Sequence, residues 1–413
     1  MDGEEESVMQ KVRWGVLSTA NIGMEKVTPA IQAGENCEVV AIASREIGRA
    51  RAAADRLGIA RAYGSYEDVL ADEDVDAVYI PLPNQLHAEW TMAAARAGKH
   101  VLCEKPLALT SADAQRMVDV CAAEGVKFME AFMYRLHPSW VRVCELVAAG
   151  RIGEVRAFQA FFSYFNDDPS NIRNQVESGG GALMDIGCYP INAARLIFGG
   201  EPSAVSGAMR RDPRFGTDVV TSAVLEFGLA QAAFTCSTQL EDYQRVHFVG
   251  TEGRIDVEIP FNIPPDLPTR VYLAAGGNPP VAPDVETITF GPRDQYTDEA
   301  EGFAAAVLHD TPVPTPPQDG VAQLKESYDA ARAASRATRE QLTLSELRLD
   351  QYRELLSTGA GSQFDVERYE TEVATLKDQL AANVAAENQA LLALNATVGD
   401  EQSRVAQVLA QLE

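Results

Sequence analysis

The chain has 413 residues, which is too long for one ordinary hydrophobic core and indicates two to three domains. Hydrophobic residues make up 46% and charged residues 23%, as in folded proteins, and a net charge of −25 argues against nucleic-acid binding. The sequence has no apolar run of membrane-spanning length, no secretory signal and no CxxC pair among its 6 cysteines, so we expect a cytoplasmic protein with free thiols.

The N-terminal part of the chain alternates short apolar runs with helix-length segments. The apolar runs predict strands at 12–17, 38–43, 77–80, 101–103 and 126–129. Segments with helical periodicity lie between them, among them 49–57, 87–97 and 111–123. Such alternation is typical of a doubly wound α/β domain with a parallel sheet, in which ligands bind at the carboxyl ends of the strands.

The turn after the first predicted strand occupies the place of the G-x-G-x-x-G loop of a dinucleotide-binding fold. Its small residues and its single glycine suit close approach of a pyrophosphate to a helix N-terminus. The candidate cofactor-binding residues there are Ser18, Ala20, Asn21, Ile22 and Gly23. The same residues are also compatible with an ordinary strand-to-helix turn.

The second predicted strand ends in Ser44 and Arg45, with Arg49 one helical turn further on. An acidic residue at this position would bind the ribose hydroxyls of NAD, whereas a hydroxyl and a guanidinium suit a 2′-phosphate. The pattern therefore favours NADP. The alternative is that the arginine is an exposed residue at the start of a solvated helix.

Five segments together resemble the Gfo/Idh/MocA family of NAD(P)-dependent oxidoreductases, over about residues 11–322. They read PLPNQLHA at 81–88, AGKHVLCEKPLA at 97–108, EAFMYRLHP at 130–138, GGGALMDIGCY at 179–189 and YTDEAEGF at 296–303. The resemblance implies that Lys105, the lysine of E-K-P, lies beside the nicotinamide and the substrate oxygen. It also implies a catalytic role for Asp185 and Tyr189, in which the tyrosine moves a proton and the lysine is its electrostatic partner.

The same resemblance extends the list of candidate site residues. Cofactor contacts are expected from Pro81, Leu82, Asn84, His87, Glu104 and Lys105, and substrate contacts from Arg135, Arg173, Asp185 and Tyr189. His87 could equally be a capping or core residue, and either arginine could be structural.

Beyond residue 155, alternating polar and apolar runs predict a second sheet. The runs lie at 156–164, 203–210, 218–227, 231–237 and 245–250. They resemble the α+β second domain of the family, which has an open, mainly antiparallel sheet whose free face commonly forms a subunit interface. We therefore expect a Rossmann domain at 1–128, a substrate and oligomerisation domain at 129–323, and a cleft between them for a neutral sugar.

After Pro317 the chain has neither proline nor cysteine, and a 4-3 spacing of apolar and small residues begins at Leu324. Thr358–Gly361 interrupts the spacing, which predicts an antiparallel coiled-coil hairpin over 324–413 with helices of about 35 to 50 residues. The segment 352–363 resembles the helical hairpin of membrane fusion proteins, the periplasmic adaptors. The hairpin could also be a structural or oligomerising appendage, or a fusion of unrelated origin, and its start could lie anywhere from 322 to 345.

Taken together, the sequence predicts an NADP-dependent sugar oxidoreductase similar to aldose–aldose and glucose–fructose oxidoreductases. It would oxidise an aldose to a lactone, reduce a second sugar to an alditol, or do both, and NADP could stay tightly bound between turnovers. No metal is expected, and the chain could form homo-oligomers through the sheet face or the hairpin. The alternative function is that of a scaffold or adaptor acting through the hairpin.

Overall fold

The structure is a computed structural model that describes residues 11–275 and 284–384. It divides into two compact units, each built from two stretches of the chain. The first unit comprises Met1–Val155 and Arg245–Ala322, and the second comprises Arg156–Gln244 and Gln323–Glu413. The chain leaves the first unit at residue 155 and returns to it within one long strand, and the predicted domain bounds stay a prediction.

The first unit contains a six-stranded sheet in the order β3-β2-β1-β4-β5-β6, in which every strand pairs in parallel. The strands are β1 (Val12–Leu17), β2 (Cys37–Ala43), β3 (Arg61–Tyr63), β4 (Ala77–Ile80), β5 (His100–Glu104) and β6 (Phe128–Ala131). The helices of this part are α1 (Thr28–Ala33), α2 (Ile47–Leu57), α3 (Tyr66–Leu70), α4 (His87–Arg96), α5 (Ser111–Ala123) and α6 (Pro138–Ala148). The predicted doubly wound parallel sheet is confirmed, although the sequence patterns did not indicate β3 and α3.

A helix from far along the sequence completes the core of this sheet. Helix α8 (Gln295–Leu308) places Phe303 against Trp14 of β1, with ring centroids 5.3 Å apart. Both side chains are fully buried, and Ile31 of α1 belongs to the same cluster. Burying an aromatic side chain of this size stabilises a fold by about 3 kcal/mol. Helix α8, from the second stretch of the chain in this unit, therefore forms part of the hydrophobic core.

The first unit also contains a short antiparallel group of strands. These are β12 (Gly253–Val257), β13 (Thr269–Ala275) and β14 (Glu286–Phe290), and β12 pairs with the last part of β11 (Gln239–Gly250). The sequence patterns indicated the end of β11 and missed the three strands that follow it.

The second unit contains three strands in antiparallel register and a fourth strand that pairs with one of them in parallel. Its strands are β7 (Val155–Phe165), β8 (Ala204–Arg211), β9 (Asp218–Phe227) and β10 (Ala230–Ser237). Strand β8 pairs with β9 and β9 with β10 in antiparallel register, whereas β10 and β7 run parallel. The helical segment that begins at 182 passes through one wide turn, Leu183–Gly187, and continues as α7 (Cys188–Phe198). The predicted second sheet is confirmed, with strand ends shifted by only a few residues.

Helix α9 (Pro317–Ser357) and a second helix at 363–384 lie antiparallel in the part that the structure describes. Leu342 and Leu349 of α9 pack against Val366 and Val373 of the second helix. The predicted continuation to 413 falls on residues outside the described ranges. The full-length coiled-coil hairpin, and its likeness to membrane fusion proteins, therefore stay predictions.

Candidate active site

The predicted cofactor turn follows β1 directly, at the carboxyl edge of the parallel sheet. Ser18 Oγ accepts a hydrogen bond from the backbone N–H of Ala20 at 3.0 Å, which turns the chain at the end of the strand. A Cβ atom on Gly23 would lie 3.3 Å from Pro81 Cγ, beyond the end of the neighbouring β4. Glycine thus lets the segment after the turn pack closely on the sheet, as a dinucleotide loop requires.

The residues predicted to select NADP lie at the end of β2, and one further residue joins them. The hydroxyl of Tyr66, the first residue of α3, lies near the side chains of Ser18 and Arg45, which both act on its pKa. Burial raises the pKa of this phenol, while Arg45 and Ser18 act in the opposite direction. Trp90 holds the ring edge-on at a centroid distance of 4.9 Å. Sequence reasoning missed Tyr66 because α3 was not predicted, although a tyrosine at the start of a helix that follows a strand is the available signal.

Arg49 is exposed near the start of α2, and its predicted contact with the cofactor stays a prediction. Its guanidinium pairs with Glu46 at 3.2 Å, and both side chains are about two-thirds exposed. An exposed pair of this kind contributes little to stability, so Arg49 can move toward an incoming anion at little cost. Ser44 and Arg45 lie at the end of β2, and their predicted contact with a 2′-phosphate stays a prediction.

Lys105 is the first residue after β5, at the same edge of the sheet as the cofactor turn. Glu104 Oε2 accepts from the Lys105 backbone N–H at 3.3 Å, and Glu104 Oε1 accepts from the Tyr79 hydroxyl at 2.8 Å. Burial, reinforced by the Glu104 carboxylate, raises the pKa of Tyr79 well above its ordinary value. Tyr79 therefore stays a hydrogen-bond donor that fixes Glu104, and Glu104 in turn anchors the chain at Lys105.

His87 is fully buried at the start of α4 and joins two loops of the candidate cofactor site. Its Nδ1 lies 2.9 Å from the carbonyl oxygen of Pro106 and its Nε2 lies 2.7 Å from that of Leu82. Burial lowers the pKa of this imidazole, although the two carbonyls oppose the shift. The contacts show a side chain that ties the Lys105 loop to the segment after β4. Asn84 begins the helical turn that precedes His87.

Arg135 forms an ion pair with an acidic residue of α9. Its Nη1 lies 2.8 Å from Asp319 Oδ2 at the start of α9, and its side chain is only 11% exposed. This ion pair matches the structural alternative considered for Arg135, and its predicted contact with substrate stays untested.

In the second unit the structure brings together three of the predicted residues. Arg173 Nε lies 3.0 Å from Asp185 Oδ2. The carboxylate of Asp185 is the largest influence that raises the pKa of Arg173, and the neighbouring Tyr164 and Tyr189 act in the same direction. Tyr189 is buried and packs edge-on against Phe162 at 5.6 Å.

Tyr164, which the sequence did not indicate, completes this cluster. Its hydroxyl donates to Asp185 Oδ2 at 2.6 Å, and burial followed by the Asp185 charge raises the pKa of the phenol. Asp185 is thus held by a cation and by a phenol that remains protonated. The phenol lies on β7, where its polar end follows an apolar run, and only the folding of β7 beside the Asp185 segment reveals its role.

Within the described ranges no three potential metal ligands cluster, and no helix there is long and apolar enough to cross a membrane. Five of the six cysteines, which lie between Cys37 and Cys236, are buried as thiols.

Comparison with known proteins identifies the family. The family model for the oxidoreductase NAD-binding Rossmann fold matches residues 12–132, and the model for the GFO/IDH/MocA C-terminal domain matches residues 140–256. The chain belongs to the GFO/IDH/MocA oxidoreductase family. The predicted membership is therefore confirmed, and the fold of both matched regions agrees with it.

Individual relatives agree with this assignment. An uncharacterized oxidoreductase of Rhizobium meliloti is 46% identical over 80% of this chain and 99% of its own length. A D-xylose 1-dehydrogenase (NADP(+)) of Haloferax volcanii is 44% identical over 71% of this chain and 88% of its own. The crystal structure of KijD10, a 3-ketoreductase from Actinomadura kijaniata in complex with NADP and TDP-benzene, superimposes with a TM-score of 0.70 at 34% identity, covering 76% of this chain and 95% of that one. These relatives are oxidoreductases and give no support to the adaptor alternative.

Proposed function

We propose that this protein is an NADP-dependent sugar oxidoreductase that oxidises an aldose to a lactone, and that it can return the hydride to a second sugar. One observation carries the proposal: Asp185 and Tyr189, on the helical segment that the family motif marks, cluster with Arg173 from a separate turn, and these side chains suit hydroxyl binding and proton transfer. The similarity to a D-xylose 1-dehydrogenase supports an aldose as the substrate.

The choice of NADP rests on the donor set at the end of β2. A hydroxyl from Ser44, the guanidinium of Arg45 and the nearby Tyr66 phenol suit a dianionic phosphate. An NAD site would instead place a carboxylate there for the ribose hydroxyls. KijD10 and the xylose dehydrogenase are both described with this cofactor, which agrees with the donor set.

A neutral sugar fits the charges around Asp185 better than a phosphorylated one. Arg173 is paired with Asp185 at 3.0 Å. Arg211 lies opposite Asp218 across the β8–β9 pair. Because each of these cations already has a carboxylate beside it, the cluster offers hydrogen bonds more readily than net positive charge.

Bound NADP would supply the carbon that accepts or donates hydride. The residues of this chain would bind and orient the sugar and move the proton. Lys105 would hydrogen-bond the substrate oxygen and stabilise the negative charge that develops on it. Tyr189 would take the hydroxyl proton during oxidation and return it during reduction. Asp185, fixed by Arg173 and Tyr164, would orient the sugar through a neighbouring hydroxyl. A tightly bound cofactor, a cytoplasmic location and homo-oligomers are parts of the same proposal.

The direct test is a cofactor and substrate survey on the purified full-length chain. Absorbance at 340 nm and protein fluorescence would first report any co-purifying NADPH, and titrations with NADP and NAD would then give the two dissociation constants. We expect tighter binding of NADP, and turnover with neutral aldoses exceeding turnover with nucleotide-linked sugars. If neither dinucleotide binds at micromolar concentration, the proposal is wrong.

Two variants test the assigned roles. Lys105→Ala and Tyr189→Phe should each lower kcat by about a hundredfold or more, while the NADP dissociation constant changes little. Tyr243→Phe is the matched control, since Tyr243 lies in the same unit and is 47% exposed. Wild-type turnover in both test variants would reject the roles given to Lys105 and Tyr189.

A further inference from the structure

Asp218 lies outside every motif recognised in the sequence, yet it contacts the segment that bears Asp185 and Tyr189. It is the first residue of β9 and is 5% exposed. Its Oδ2 accepts hydrogen bonds from the backbone N–H of Leu183 at 2.8 Å and from Thr221 Oγ1 at 2.8 Å. Leu183 belongs to the first turn of the helical segment, where backbone N–H groups have no partner within the helix.

The glycines before this helical segment make room for the Asp218 side chain. Gly181 has φ +118°, and a Cβ atom built on it would lie 2.0 Å from Asp218 Oδ1. A Cβ on Gly180 would lie 2.4 Å from the carbonyl oxygen of Arg173, which also accepts from the Gly181 N–H at 2.9 Å. The start of the helical segment is therefore clamped between Asp218 on one strand and the turn that carries Arg173.

Arg211, the charged neighbour of Asp218, donates its hydrogen bond to a backbone carbonyl instead of to the Asp218 carboxyl. Arg211 faces Asp218 across the β8–β9 register, and its Nη1 donates to the carbonyl of Gly216 at 2.8 Å. Burial raises the pKa of Asp218, whereas Arg211, the Thr221 hydroxyl and the Leu183 N–H lower it. The Leu183 N–H of the helical segment and the Thr221 hydroxyl both hydrogen-bond the Asp218 carboxyl directly.

We propose that Asp218 is a positioning residue for the reaction: by holding the Leu183 N–H, it sets where the helical segment begins and hence where Asp185 and Tyr189 stand. This inference rests on the proposed function for its kinetic consequence, but its structural part can be measured independently. Because Asp218 acts through the backbone of Leu183, its loss should lower kcat while the binding of NADP is preserved.

The test compares Asp218→Ala with Asp212→Ala in the full-length chain. Asp212 is equally buried, at 5% exposure, but it binds Arg214 and Gln239 rather than the helical segment. Two quantities are measured: kcat with the best aldose, and hydrogen–deuterium exchange of the peptide that covers 182–189. Asp218→Ala should lower kcat about ten- to hundredfold and accelerate exchange in that peptide at least fivefold, because a buried N–H loses its acceptor. Asp212→Ala should leave both quantities near the wild-type values.

Further variants keep the inference falsifiable if Asp218→Ala does not fold. Asp218→Asn retains an oxygen that can accept from Leu183 and should recover most of the turnover. Gly181→Ala should reproduce the loss, since the added methyl group displaces the Asp218 carboxylate. Wild-type exchange and kcat in Gly181→Ala, or equal effects of Asp218→Ala and Asp212→Ala, would overturn the inference. A wild-type protein that oxidises no sugar would refute the proposed function instead, while the exchange measurement would still decide whether Asp218 anchors the segment.

Discussion

The carboxyl of Glu130 should make the stability of this protein depend on pH near neutrality. Glu130 lies on β6 and is fully buried, with Oε1 accepting from the Leu107 N–H at 2.9 Å. Its Oε2 has no hydrogen-bond partner among the described residues. Burial raises its pKa from 4.5 to about 8, with a contribution from Asp319, although the Leu107 N–H, Arg135 and Lys105 oppose the shift.

The sign of the effect follows from the order in which the two states ionise. Below pH 4.5 the carboxyl is protonated in both the folded and the unfolded chain, and it has no effect on the free energy of unfolding. Between 4.5 and about 8 the unfolded chain releases the proton first, so the free energy of unfolding falls by about 1.4 kcal/mol per pH unit. Above the folded pKa both states are ionised and the slope vanishes. Across the whole interval the loss amounts to about 5 kcal/mol.

Glu130→Gln should remove this dependence, because the amide is neutral throughout and its carbonyl can still accept from Leu107. Urea unfolding of wild type and variant at pH 5, 6, 7 and 8 measures the difference in unfolding free energy. We expect the difference in unfolding free energy, variant minus wild type, to increase steadily with rising pH, by several kcal/mol between pH 5 and 8. The unfolding free energy of Glu89→Gln, at an exposed position on α4, should change with pH as that of the wild type does. A Glu130→Gln curve that also runs parallel to the wild type would refute the reasoning.

Three further predictions concern the cofactor site, the substrate site and the helical hairpin. Tyr66→Phe should weaken NADP binding about five- to tenfold and leave NAD binding unchanged, because only the 2′-phosphate needs the hydroxyl; fluorescence titration with both dinucleotides would show equal losses if this is wrong. Tyr164→Phe should lower kcat/KM about tenfold through the lost 2.6 Å hydrogen bond to Asp185, and steady-state kinetics identical to wild type would contradict that role. Leu349→Asp should destabilise the hairpin by about 3 kcal/mol, since Leu349 is 6% exposed between the helices, whereas Leu347→Asp at 56% exposure should be neutral. Circular dichroism during thermal unfolding would measure both, and an equal shift in the two variants would contradict the observed packing.

Local sequence patterns predicted the parallel sheet well because its strands are short, apolar and separated by helices. Strand β4 spans the predicted residues, and the other predicted strands of this sheet end within two residues of the prediction. The patterns failed for β3, β12, β13 and β14. Strand β3 has only three residues and most residues of β14 are exposed, so no apolar run marks these two. The packing of Phe303 on Trp14 joins residues that are distant in the sequence, so no local pattern indicates it.

The sequence by itself determined the family, the parallel α/β domain with its second sheet, and the positions of the candidate cofactor and catalytic residues. These features depend on periodicity and on short motifs, which are local along the chain. Only the tertiary structure decided what each side chain contacts. It linked His87 to two backbone carbonyls and Arg135 to Asp319, and it brought Tyr164 and Asp218 to the segment of Asp185 from separate strands. The physical reason is that hydrogen bonds and burial depend on distances between residues far apart in the chain, and no local pattern records those distances.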